Sequence, residues 1–380
     1  MMRFYANSDI VFGRGSLQQL PELLRPWKAE KVMVVSDPGV TAAGIAGNVQ
    51  NILEQAGLNT LLYSEVQANP TNENVNQAAA LAKGFKPELL VAVGGGSSID
   101  LAKAVSLLMT NAGPIELYGG IGNVPRKGLP LVAIPTTSGT SSEITNVCAL
   151  IDTQKVVKYV IIDNKLTPDL VVADPELTKT VPARVTAATG MDAITHAIES
   201  YISRKATPLS EYHSLQGLKI LYQNLPVAYE NGRNLLARER MMLGCFITGF
   251  GFSNANLGLV HGIAHTLSAH FGIAHGAANA AVLPYVLSFN APSCPQKMID
   301  MATLLSLPLT RERNRDQYVL ANAMEKLVDM MKIPRLSAYG ITEADFEMLT
   351  EDILREPVLA FNPRQDITGE SIQSILRQAL

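Results

Sequence analysis

A continuously apolar run, Leu89-Leu90-Val91-Ala92-Val93, stops at Gly94-Gly95-Gly96 and continues as Ser97-Ser98-Ile99-Asp100. No other stretch of the chain constrains the fold as tightly. A run without polar alternation reads as a strand covered on both faces, the signature of a parallel sheet. Glycine lets the backbone turn sharply and approach another group closely, and the residues beyond it open a helix from Ser98 to about Thr110. The first N–H groups and the positive dipole end of such a helix suit a phosphate. A tight strand-to-helix turn without a ligand is the plainer alternative. The spacing is not GxGxxG, so this is not the usual dinucleotide fingerprint.

Similar runs recur through the first half. KVMVVS (31–36) closes on Asp37-Pro38-Gly39, TLLYSEV (60–66) precedes a helix beginning near Thr71, and LVAIP (131–135), VKYVII (157–162) and DLVVAD (169–174) follow. Strand-like runs alternating with helical stretches predict a Rossmann-like α/β domain with a parallel sheet. Pro175 and Pro182 punctuate its end. From about Arg184 onward, Ala-, Leu- and Met-rich stretches of helical length predict an all-α second domain. A chain of 380 residues exceeds the roughly 250 of one ordinary domain, and the change of character divides it into 1–182 and 183–380. The opening RFYANSDIVFG predicts an edge strand or hairpin, of the kind that pairs across a dimer.

Charge narrows the partners. The net charge is −3, charged residues are 17% of the chain and no basic run is present, which argues against a nucleic-acid partner. The start lacks the pattern of a signal peptide and no segment has 18 uninterrupted apolar residues, so no membrane span is expected. Cys148, Cys245 and Cys294 are odd in number and far apart, which predicts no disulfide framework and a reducing cytoplasm.

Two further places carry candidate chemistry in the first half. Thr136-Thr137-Ser138-Gly139-Thr140 follows LVAIP, where hydroxyls and amides can meet a pyrophosphate or ribose at the carboxyl end of a strand. Asp37 ends the first strong strand. There it can accept from adenosine ribose hydroxyls and repel a 2′-phosphate, favouring NAD over NADP; the same Asp before Pro38-Gly39 also suits a simple turn.

The second half holds a different constellation. Four of the six histidines, His261, His265, His270 and His275, lie within fifteen residues. Asp192 and His196 stand i, i+4, as do His261 and His265, so each pair shares one helical face. Their surroundings are apolar and rich in Ala and Gly, which implies burial, and a buried Asp needs a partner or a metal. Carboxylate and imidazole donors suit Fe(II), Zn(II) or a related divalent ion, and three imidazoles with one carboxylate leave a position open for a substrate oxygen. A hydrogen-bonded Asp–His core network without metal is the competing reading. Phe252 is read as an apolar wall for a short substrate or as core packing.

Taken together these segments resemble the iron-containing alcohol dehydrogenases, the group that includes lactaldehyde/propanediol oxidoreductase and 1,3-propanediol dehydrogenase. The resemblance spans nearly the whole chain: FGRGS (12–16), Asn69-Pro70-Thr71, GGGSSIDLAK (94–103), IPTTSGTSSE (134–143), DPEL (174–177), TAATGMDAITHAIESY (186–201), GFSNANLGLVHGIAHTL (251–267) and HGAANAAVLP (275–284). It implies a dehydroquinate synthase-like architecture, a Rossmann-like domain followed by a helical one, in a homodimer or larger homo-oligomer. It implies hydride transfer between a short primary alcohol, aldehyde or diol and NAD(H), with Fe(II) preferred and Zn(II) possible. By the same likeness Asp192, His196, His261 and His275 are metal ligands and His265 is a catalytic neighbour that relays a proton or supports the site. Asp37, Asn69, Gly95, Gly96, Ser97, Thr136, Thr137, Thr140, Lys158 and Leu177 then line the cofactor. EPVLAF (356–361) departs from the cysteine-containing stretch common in relatives. The rivals are an NADP-preferring aldehyde reductase, a zinc polyol dehydrogenase, and a silent nucleotide- and metal-binding scaffold.

Overall fold

The computed structural model describes residues 4–6 and 8–380; Arg3 and Asn7 of the opening segment lie outside the described residues. The chain forms two compact units. One comprises Ala6–Val181 with Gly232–Met242, and the other Pro182–Asn231 with Leu243–Leu380, to which Tyr5 also belongs.

The first unit is built on six parallel strands: β1 (Asp9–Phe12), β2 (Lys31–Ser36), β3 (Asn59–Tyr63), β4 (Leu89–Gly94), β6 (Leu131–Pro135) and β9 (Leu170–Ala173), in the spatial order β1-β9-β6-β4-β2-β3. Helices α1 (Leu20–Leu24), α2 (Pro38–Ala42), α3 (Ile45–Gln55), α4 (Asn72–Phe85) and α5 (Gly96–Leu108) connect the strands. Successive side chains of a strand point to opposite faces. Met33, Val35, Leu90 and Ala92 therefore enter one buried cluster, and Val32, Val34, Leu89, Val91 and Val93 enter another. That double burial is why β2 and β4 are apolar without interruption. β1 is an edge strand paired with β9, and among the described residues no hairpin forms there.

The parallel reading fails at one run. VKYVII forms β8 (Val157–Ile162), which pairs antiparallel with β7 (Val147–Asp152) and parallel with β5 (Gly120–Ile121) in a separate three-stranded sheet. β7 alternates between half-buried and buried residues, with Cys148 and Leu150 turned inward. A sheet covered on one face needs only that alternation, and apolar content alone does not distinguish it from a doubly covered strand.

The second unit is helical: α6 (Ala183–Ile202), α7 (Pro208–Glu230), most of α8 (Leu235–Ala255), α9 (Leu259–Phe271), α10 (His275–Asn290) and a C-terminal series of shorter helices. Helix α6 is buried along most of its length and packs against α7 and α10. Its approach to α10 is close because Gly276 has no side chain: a Cβ there would lie 2.2 Å from the Ala188 carbonyl oxygen. Among the described residues no single helix is long and apolar enough to cross a membrane.

Candidate functional site

The α/β unit gathers its polar candidates at the carboxyl ends of β2, β4 and β6. The chain leaves β2 toward β3 and leaves β4 toward β6, so strand order reverses between β2 and β4, where open α/β sheets take their ligands. Helix α5 begins at Gly96, two residues before the expected start, because Gly95 already serves as its N-cap. Gly95 offers no side chain to the helix's first N–H groups, which leaves them suited to an anion. A Cβ on Gly95 would lie 2.9 Å from Thr137 Oγ1, and one on Gly96 would lie 2.6 Å from Thr140 Oγ1. The missing side chains thus let both hydroxyls close on the turn. Asp37 caps α2 by accepting from the Val40 N–H at 3.0 Å and accepts from Ser98 Oγ at 3.2 Å. The Thr136 N–H donates to the Gly94 carbonyl at 3.0 Å, and the Asn69 N–H to Ser97 Oγ at 3.4 Å.

Eight of the ten expected cofactor residues therefore share one locality. Leu177 is half-buried against the core cluster that contains Ile134. Lys158 stands apart on β8, where its charge is felt by Asp100.

Beneath the turn lies a pair that sequence reasoning missed as a functional element. Lys103 is 1% exposed, and its ammonium donates to the carbonyls of Ser142 (2.7 Å), Thr145 (3.0 Å) and Val147 (2.7 Å). Asp100 accepts from Ser142 Oγ and from the Ala149 N–H. Together they hold the segment that follows Thr140. Burial lowers the Lys103 pKa and raises that of Asp100, while each charge counteracts the effect on the other. Burial also pushes the neighbouring Glu143 carboxyl up to about 7.

The helical unit assembles the second group. Helix α6 carries Asp192, His196 and Glu199 on one face, α9 carries His261 and His265, and α10 begins with His275 and adds Asn279 one turn later. Asp192 is 2% exposed, and its Oδ1 lies 3.9 Å from Nε2 of each of His196, His261 and His275. The donor atoms of Asp192, His261 and His275 all lie within 4.8 Å of one another. Among the described residues no Lys or Arg forms an ion pair with Asp192. A divalent ion with bonds of about 2.0–2.2 Å separates its ligands by roughly 3–4 Å; Asp192 stands at that spacing from each imidazole, while His196 lies outside the group whose donor atoms are all within 4.8 Å of one another. The Asn279 amide Nδ2 donates to Asp192 Oδ1 at 2.7 Å and lies 3.2 Å from His261 Nε2, while its buried Oδ1 has no hydrogen-bond partner among the described residues.

The remaining side chains hold these donors in place. Phe252 stacks on the His196 ring at 4.3 Å between centroids, so the side chain considered for a substrate wall supports an imidazole. Glu199 Oε2 lies 2.6 Å from His261 Nδ1. Burial pushes the Glu199 carboxyl up to about 7, against the opposing pull of N–H groups from Gly258, Val260 and His261. His265 stacks on His275 at 5.4 Å, with its Nδ1 3.2 Å from Glu356 Oε2. His270 falls outside the group and pairs with Asp352 at 2.8 Å.

Comparison with known proteins decides the family. Residues 7–175 match the family described as iron-containing alcohol dehydrogenase, and residues 186–380 match the C-terminal part of the Fe-containing alcohol dehydrogenase family. The chain belongs to the iron-containing alcohol dehydrogenase family. It is 36% identical over 379 residues to alcohol dehydrogenase 4 of Saccharomyces cerevisiae (strain YJM789), covering 99% of this chain and 98% of that one. It is 33% identical to the NAD-dependent methanol dehydrogenase of Bacillus methanolicus across the full length of both. The crystal structure of a 1,3-propanediol oxidoreductase superposes with a TM-score of 0.95 at 34% identity, covering 100% of each chain.

In this alcohol dehydrogenase, two side chains of the helical unit escaped sequence reasoning. Asn279 repeats the i, i+4 spacing of the two Asp/His pairs from His275, a signal that was available. Glu199 lies within the same face as Asp192 and His196, but its partners are 61 and 62 residues away in sequence.

Proposed function

We propose that this enzyme interconverts short primary alcohols or diols and their aldehydes, with NAD(H) as hydride carrier and Fe(II) as the preferred ion, Zn(II) being the alternative. Asp192, His196, His261 and His275 hold the ion. The observation that carries this reading is the single buried carboxylate oxygen facing three imidazole Nε2 atoms at 3.9 Å. When bound, the ion supplies Lewis-acid polarisation of the substrate oxygen and the dinucleotide supplies the hydride-accepting ring.

The chain's own residues do the rest. Gly95, Gly96 and Ser97 present the start of α5 to the pyrophosphate, while Thr136, Thr137 and Thr140 close over it. Asp37 and Asn69 with Leu177 receive the adenosine end, and Lys158 the ribose nearer nicotinamide. The negative charge of Asp37 supports NAD over NADP. His265, steadied by Glu356, carries the proton between substrate and solvent. The NAD-dependent relative from Bacillus methanolicus supports the cofactor reading. The three cysteines, none of them in a disulfide, support a cytoplasmic setting, and the edge strand β1 supports a homodimer or larger homo-oligomer.

The test is NADH oxidation against a panel of short aldehydes, using metal-stripped protein reconstituted anaerobically with Fe(II) or Zn(II). Turnover should require one of the two ions. Equal turnover by stripped protein, or none with either ion, would overturn the proposal.

A further inference from the structure

We propose that Glu199 is the positioning residue that fixes the ring proton of His261 on Nδ1, and so keeps Nε2 available as a metal donor. The inference rests on reading His261 as a ligand. Glu199 is 2% exposed on α6, and His261 is 1% exposed in the first turn of α9. The carboxylate accepts from the Val260 N–H at 2.8 Å through Oε1 and from the His261 N–H at 3.4 Å through Oε2, and it also accepts from the Gly258 N–H. His261 Nδ1 lies 2.6 Å from the same Oε2.

These partners leave the ring little choice. Backbone amides can only donate, so both carboxylate oxygens are committed as acceptors. An imidazole nitrogen facing such an oxygen of the ionised carboxylate at 2.6 Å carries the proton. In the neutral ring Nε2 then keeps its lone pair, and Nε2 is the atom 3.9 Å from Asp192 Oδ1. A helix cap alone would use the contacts to the backbone, whereas the contact to the ring goes beyond capping. The entry of the carboxylate is also built into the backbone: a Cβ on Gly258 would lie 3.1 Å from Glu199 Oε1 and 2.9 Å from Asn362 Oδ1. Asn362 takes up the neighbouring donor, the Leu259 N–H, at 3.2 Å.

The isosteric variant Glu199→Gln separates the two roles. Its amide oxygen stays with the Val260 N–H, which cannot reverse, and its NH₂ is then turned toward His261 Nδ1. The ring proton is then favoured on Nε2, where it competes with metal binding. The experiment uses the metal-free full chain with ¹⁵N-histidine, the His261 resonances being assigned by their loss in His261→Gln. Zn(II) and Co(II) affinities are measured in parallel by chelator competition, and circular dichroism reports folding.

Wild type should show the proton on Nδ1 and Glu199→Gln on Nε2, with metal affinity lowered by about 10- to 100-fold. Glu199→Asp keeps two acceptor oxygens, so it should keep the Nδ1 proton and an intermediate affinity. The proposal is overturned if wild type carries the proton on Nε2, or if Glu199→Gln keeps wild-type tautomer and affinity. Should Glu199→Gln not fold, the wild-type tautomer and the Glu199→Asp variant decide. Wild type that binds neither ion would overturn the ligand reading, while the tautomer, read without metal, still decides the role of Glu199.

Discussion

Replacing Lys103 with Met tests how the cofactor end of the α/β unit is held. The Met side chain fills much of the same space but removes the ammonium, leaving the carbonyls of Ser142, Thr145 and Val147 without that donor. It also removes the positive charge 4.0 Å from Asp100. Each buried acceptor left unmade costs about 1–3 kcal/mol, so three cost roughly 3–9 kcal/mol. Burying the Met side chain returns about 1.5–3 kcal/mol. The difference spans about 0–7.5 kcal/mol, and removal of one partner of a buried ion pair, which costs about 3–5 kcal/mol, sets the expectation within it. Urea unfolding should show it as a lower midpoint. Because Ser142 N–H donates to Thr140 Oγ1 at 3.2 Å, the same variant should bind NADH more weakly by fluorescence titration. Adding Asp100→Asn should cost less than the sum of the single losses, since the two share one network. A stability loss below about 1 kcal/mol would refute the idea that these carbonyls depend on Lys103.

Three other outcomes follow from the sites. His275→Ala should lose bound metal and turnover together in a folded protein, whereas His270→Ala, which breaks a pair with Asp352, should retain metal; elemental analysis beside an activity assay distinguishes them. Asp37→Gly should raise use of NADP relative to NAD by removing a charge that repels the 2′-phosphate, and an unchanged ratio of kcat/KM values would leave Asp37 as the cap of α2 alone. Glu143, raised from 4.5 to about 7, holds a proton in the folded chain that the unfolded chain has released between those values. Stability from this group is therefore greatest at low pH and falls as pH rises through that window, by about 3 kcal/mol in all. In Glu143→Gln the difference between urea midpoints at pH 5 and pH 8 should shrink accordingly, and an unaltered difference would place the pH dependence elsewhere.

What could be read from the sequence follows the range over which the causes act. The strands β2, β4 and β6 are legible because burial on both faces makes each run apolar by itself. The helical face of Asp192 and His196 is legible because i, i+4 is a property of one helix. The apolar content of β8 suits the parallel sheet equally well, because its partner β7 is identified by pairing across a turn, which that content does not encode. The start of α5 lies two residues before the one the sequence signals, because Gly95, lacking a side chain, gives none of the usual cap chemistry. Lys103 gives no signal of its own in the sequence, because its role depends on three carbonyls that only the folded segment brings to it. Glu199 is the same case in the helical unit.

The start of α9 carries a consequence for how the protein is made. Its opening amides are satisfied by Glu199, 61 residues earlier than Val260, and by Asn362, 103 residues later than Leu259. A chain emerging from the ribosome in order has synthesised His196, His261 and His275 long before residue 362 appears. Vectorial synthesis thus supplies Glu199 before α9 and Asn362 after it, so the opening turn of α9 gains its last side-chain acceptor only when the C-terminal segment has been made.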